Sequence, residues 1–160
     1  MRYQEISFYL KKLAKSVQDR MEIYKHHGQG RLSEKDLKNI HRKLLGKYGP
    51  YKIYIINGEY IRDKIDIDFI LGGNPGRYGY IPEDEIWIGD TTEIGDMAPN
   101  LLHEYIELRK MIDIGWDYDK AHDYASSFEI EFRKIYKPSG DIVKDFIRQI
   151  EKIKNKLNLK

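Results

Sequence analysis

Apolar residues recur at helical spacing near the start of the chain: Ile6, Tyr9, Leu10, Leu13, Val17, Met21 and Tyr24 predict a helix over 3–26. Gly28 and Gly30 in HHGQG release it. Ser33 has the features of a helix cap, with Asp36 three residues on and a Leu32–Leu37 staple, and the second helix is expected to run to Lys47, before Gly49-Pro50. The pattern changes at Tyr51. YKIYIING predicts a strand closed by an Asn57-Gly58 hairpin, and EYIRDKIDIDFIL a returning strand in which Ile65, Ile67 and Phe69 alternate with Asp66 and Asp68. GGNPGRYGYIP follows as a loop, and EIWIG at 85–89 is the third strand. Helices are expected at 97–113 and 117–136, parted by Gly115, with Pro138 as a stop. Ser139 then caps a last helix striped by Ile142, Phe146, Ile150, Ile153 and Leu157. The order gives an α+β fold: a small, mainly antiparallel three-stranded sheet flanked by N- and C-terminal helices. A single domain over 1–160 is expected, with a basic helical part at 1–48, a core at 51–136 and a C-terminal helix at 139–158.

Composition narrows this picture. Hydrophobic residues make up 41% and charged residues 34% of the 160, which suits a soluble globular chain. No apolar run has the length of a membrane span, and MRYQEISFYLKK lacks a signal-peptide pattern, so a cytoplasmic location is expected. Abundant Lys, Glu, Ile and Tyr resemble a thermophile's composition. The absence of cysteine excludes disulfides and thiolate metal sites, leaving histidine and carboxylate as the strong metal ligands. Charge is segregated: residues 1–48 hold 12 basic against 5 acidic residues, 49–132 hold 7 against 18, and 133–160 hold 9 against 3. The basic ends either complement the acidic middle or form a surface for nucleic acid or a protein partner.

Candidate chemistry centres on LLHEYIELRKM, residues 101–111. On a helix His103 and Glu107 share a face and can hold one ion between them. Glu104 lies about 100° around the helix, placed as a general base for a water at that ion. In DYDKAHDYASSFE, His122 sits at the edge of a stripe of Tyr118, Ala121, Ala125, Phe128 and Phe132, and the alanines permit a close helix neighbour. Glu129, two turns further, is better placed to support a ligand than to be one. The competing reading is an ordinary helix: His103, Glu107 and Lys110 lie roughly opposite an apolar centre of Leu101, Tyr105, Leu108 and Ile112, as solvated charges would.

His-Glu-x-x-ligand, after a small sheet and before a helix with a third ligand, resembles the zincin metallopeptidases, and most closely their gluzincin branch, which holds zinc with two histidines and a glutamate. The likeness covers about residues 51–132. It departs from the family where the second histidine of the motif would stand: that position holds Glu107. The resemblance implies a divalent metal, zinc by analogy, on His103, Glu107 and His122, and Glu104 passing a proton from water to the leaving amine of a cleaved peptide. It also implies that EIWIG pairs along its edge with an extended substrate. A carboxylate in place of imidazole donates more charge and makes zinc a weaker Lewis acid. The segment 85–132 also resembles uncharacterised small microbial and phage proteins with an HE-x-x-E helix. The contrasting function is a non-enzymatic binding protein of a genome or mobile element, its basic helices meeting nucleic acid or a protein.

Other features are read as structural. GGNPGRYGY lacks the Lys-Ser/Thr of a phosphate-binding loop and is expected to be a mobile loop near the site. Asp66 and Asp68 are expected on the solvated side of a strand. His26, His27 and His41 are assigned to helix ends or surfaces, and Trp87 and Trp116 to core or interface. The charge pattern carries its own test. Polyanion binding by the basic ends would weaken steeply with added salt. We expect instead that removing 139–160 lowers the unfolding midpoint without exposing any salt-sensitive DNA or RNA affinity, because the apolar stripe of the last helix needs a partner.

Overall fold

A computed structural model describes residues 32–159; the expected helix over 3–26, with His26 and His27, lies outside them. The elements are α1 (Glu34–Ile40), β1 (His41–Tyr48), β2 (Tyr51–Ile56), α2 (Gly58–Lys64), β3 (Gly72–Gly73), β4 (Glu85–Gly89), α3 (Ile94–Ile114), α4 (Tyr118–Ile135) and α5 (Ile142–Leu157). The fold is α+β, with four strands in the order β1-β2-β4-β3 rather than three. The sheet is mixed. β1 and β2 are antiparallel, β2 and β4 parallel, and β3 and β4 antiparallel.

Two expectations fail in instructive ways. The helix begun by Ser33 does have its capping box with Asp36, but it ends at Ile40, and 41–48 form a strand. Tyr48 pairs with Tyr51 around Gly49-Pro50, so these residues turn a hairpin where a helix stop was expected. Gly49 has φ of 56°, a left-handed conformation that glycine adopts without cost. Pairing with β2 outweighs the helical propensity of His41–Tyr48. Asn57-Gly58, expected to turn a hairpin, instead opens α2: the Asn57 side chain accepts from the Tyr60 N–H. Asparagine serves both tasks, and the parallel pairing of β2 with β4 requires a crossover, not a tight turn.

The segment after α2 is not a strand. Asp66 is buried, accepting from the Tyr80 hydroxyl at 3.0 Å and the Asp68 N–H at 2.9 Å, so it does not face water. EIWIG lies inside the sheet, with β2 on one side and β3 on the other at Trp87 and Ile88. Substrate pairing along the edge of EIWIG is therefore blocked at those two residues, and β3 is the outer strand.

The sheet divides the core. Ile86 and Ile88 pack with α3, α4 and α5, whereas Trp87 joins Ile40, Ile61, Phe69 and Tyr80 on the other face. Helix α3 ends at Gly115, whose φ of 75° suits a left-handed C-cap. Helix α5 is capped by Asp141 rather than Ser139. The Ser139 hydroxyl donates to Asp145 at 2.6 Å, tying the connection from α4 to the first turn of α5. Phe146, Ile150 and Leu157 bury the α5 stripe against α3 and β1. No helix among the described residues is long and apolar enough to cross a membrane.

Phe146 is fully buried and meets the rings of Tyr48 and Tyr105 edge-on at 5.2 and 5.4 Å. Phe146→Ala should cost about 3–5 kcal/mol in urea unfolding, through lost transfer energy and the cavity left behind.

Candidate metal centre

Helices α3 and α4 pack closely because Ala121 and Ala125, both fully buried, leave no side-chain bulk between them. The consequence is that the polar face of α3 is covered. His103, Glu107 and Lys110 are 7%, 2% and 3% exposed, so the reading of α3 as a helix with its charges in water is wrong. A burial this deep requires partners for each charge.

Those partners converge. Nε2 of His103 lies 3.1 Å from Oε2 of Glu107 and 3.1 Å from Nδ1 of His122, and the last two atoms are 2.9 Å apart. His103, Glu107 and His122 form the one group among the described residues with the spacing to hold a metal ion. The corners of such a triangle lie about 1.8 Å from its centre, so a point just off its plane is about 2 Å from all three, the usual zinc–nitrogen or zinc–oxygen distance. The donor set fits a divalent cation. His122 is the more exposed of the two histidines and borders the open side.

A surrounding frame contacts His103 and Glu107 from behind. Nδ1 of His103 lies 2.7 Å from Oε2 of Glu129, off the straight line of an N–H···O bond. Arg133 donates from Nε and Nη2 to Oε1 of the same Glu129, at 2.9 and 2.8 Å, and also contacts Asp96 and Asn100. Glu129 thus sits behind His103 rather than among the three converging atoms. Glu104, one residue along, has Oε2 bound by Nδ2 of Asn74 at 2.8 Å. The same Nδ2 donates to Oε1 of Glu107 at 2.9 Å. Asn74 was missed by sequence reading, which treated its loop as mobile. It is completely buried, and Asn-Pro-Gly in a glycine-rich stretch was the available signal of an anchored turn. Gly72 matters as well: a Cβ there would meet the Trp87 carbonyl at 2.9 Å and Glu104 Cγ and Oε1 at 3.4 Å.

These groups open into a cleft of about 290 Å³ lined also by Ile70, Leu71, Arg77, Tyr78 and Tyr118. The Arg77 guanidinium lies over the Tyr118 ring, 4.1 Å from its centre. Trp116 stands away from the cleft, edge-on to Tyr124 at 5.2 Å. His41 is 2.8 Å from Glu85 and stacked on Tyr54, on the opposite side of the sheet from the α3–α5 core.

Electrostatics sorts the carboxylates. Burial raises the pKa of Glu104, and the negative charge of Glu107 adds to the effect. Burial acts the same way on Glu107, but hydrogen bonds from His103, Asn74 and His122 outweigh it and hold Glu107 below the ordinary range. Glu129 is likewise lowered, burial being overcome by His103 and Arg133. For His103 burial disfavours the cation, but Glu107 and Glu129 prevail and raise its pKa from 6.5 to about 10. The chain matches no family model, no curated protein and no solved structure.

The His103 shift fixes a pH dependence for the metal-free protein. A raised folded-state pKa contributes stability fully below pH 6.5 and loses it as pH climbs through about 10. Ionisation of the half-buried Glu104 acts in the same direction, whereas Glu107 and Glu129 lose their contribution only in acid, below 4.5. Urea unfolding in chelator should therefore show stability falling between pH 6.5 and about 10. His103→Gln should flatten that slope.

Proposed function

We propose that this protein is a zinc-dependent hydrolase of the metallopeptidase type, with the ion on Nε2 of His103, Oε2 of Glu107 and Nδ1 of His122. The observation that carries the reading is the mutual approach of these three donor atoms, all within 3.1 Å, at a cleft. Two imidazoles and one carboxylate favour zinc among divalent ions, and three protein ligands leave a fourth position open, as in catalytic rather than structural sites. A bound divalent cation would supply Lewis acidity and lower the pKa of water beside it.

The chain's own residues would do the rest. Glu129, with Oε2 2.7 Å from Nδ1 of His103, would place a negative charge behind the ring and favour Nε2 as the atom turned to the ion. Glu104 holds its carboxylate in the cleft wall, one oxygen tied to Asn74, and its raised pKa suits a group that takes a proton from water and returns it to a leaving amine. The outer edge of β3 and the apolar Ile70 and Leu71 border the cleft where an extended peptide would lie. Glu107 as ligand makes the ion a weaker Lewis acid than a third histidine would.

Two glutamates three residues apart test the assignment. The purified wild type should carry close to one equivalent of zinc by elemental analysis. Glu107→Gln should weaken zinc binding by more than the roughly 10–100-fold typical of changes outside the ligand set, and peptide hydrolysis should disappear with the metal. Glu104→Gln should keep the metal and lose about 100-fold or more in hydrolysis. If both variants retain wild-type metal content and melting temperature, α3 is a structural helix and the proposal fails.

A further inference from the structure

Asn74 spends all of its hydrogen-bonding capacity at this site. Its amide nitrogen donates to Glu104 and Glu107, at 2.8 and 2.9 Å. Its carbonyl oxygen accepts from the backbone N–H groups of Gly76 and Arg77, at 3.0 and 3.1 Å. Two donors and two lone pairs are the full inventory of the side chain, and it is completely buried. The orientation of the amide follows from its surroundings. Turned over, it would set its oxygen against two carboxylates and its NH₂ against two N–H groups.

Resting on the metal reading above, we infer that Asn74 is the positioning residue that assigns different roles to Glu104 and Glu107. Both carboxylates meet the same Asn74 nitrogen, yet of the two only Glu107 stands with His103 and His122 in the group spaced to hold an ion. The Asn74 donor engages Oε1 of Glu107, so Glu107 presents Oε2 alone and binds through one oxygen. The same nitrogen engages Oε2 of Glu104 and restrains it from swinging in as a fourth protein ligand. The open position stays with water or substrate, and Glu104 stays a free carboxylate. The turn at Gly76 and Arg77, in turn, fixes Asn74, so the loop after β3 governs the coordination number of an ion held by α3 and α4.

Cobalt substitution reads coordination number directly, because four-coordinate Co²⁺ absorbs visible light several-fold more strongly than five- or six-coordinate Co²⁺. Asn74→Asp keeps an acceptor for the Gly76 and Arg77 N–H groups and removes the donor, whereas Asn74→Ala removes both. Melting in chelator establishes that each variant is folded. Both variants should show the visible absorption of bound Co²⁺ falling several-fold, with Co²⁺ affinity changed by about 10–100-fold. A role confined to the turn predicts that Asn74→Asp behaves as wild type while Asn74→Ala does not, and that result overturns the inference while leaving the metal site intact. Wild-type protein that takes up no Co²⁺ overturns the metal reading and this inference with it.

Discussion

Everything at the cleft depends on burying the carboxylate of Glu107. An isolated carboxylate taken out of water is costly, and 2% exposure leaves Glu107 almost none. The cost is offset by contacts from three separate parts of the chain: His103 one turn back on α3, His122 on α4 and Asn74 after β3. Each supplies a donor that water would otherwise provide. Removing one partner leaves the charge under-compensated, so the folded state needs all three contacts.

The packing that brings them together is simple. Two alanines on α4 let it lie close across α3, and closeness is what turns a polar helix face into an interior. The same approach buries Lys110, whose ammonium donates to the Leu157 carbonyl at 2.5 Å and lies over Trp116 and Tyr124. Burial lowers the pKa of that lysine, and the carbonyl at the end of α5 gives it a partner. One helix face thus does two jobs, the His103–Glu107–His122 cluster near its middle, spaced to hold an ion, and an anchor for α5 near its end.

The sheet contributes position rather than chemistry. β4 is fully buried between β2 and β3 and packs against α3. β3 is two glycines long: Gly72 has no side chain to press on the Trp87 carbonyl or on Glu104, and the chain turns at once into the Asn74 anchor.

By itself, the sequence determined the local periodicities: the long helices α3, α4 and α5, the strand EIWIG, the capping box at Ser33, and the expectation that His103, Glu107 and His122 could face one another. Such features are legible because i, i+4 spacing and alternation are properties of neighbours along the chain. The tertiary structure decided what depends on distant partners. His41–Tyr48 became a strand because β2 was there to pair with it, and Asn57-Gly58 opened a helix because β2 had to reach β4 in parallel. Asn74 was illegible for the same reason, since nothing in GGNPGRYGY shows that its amide meets two glutamates thirty residues away. Whether α3 turned its charges to water or inward was undecided on a helical wheel; the close approach of α4 settled it, because burial is a property of the packed pair and not of either helix alone.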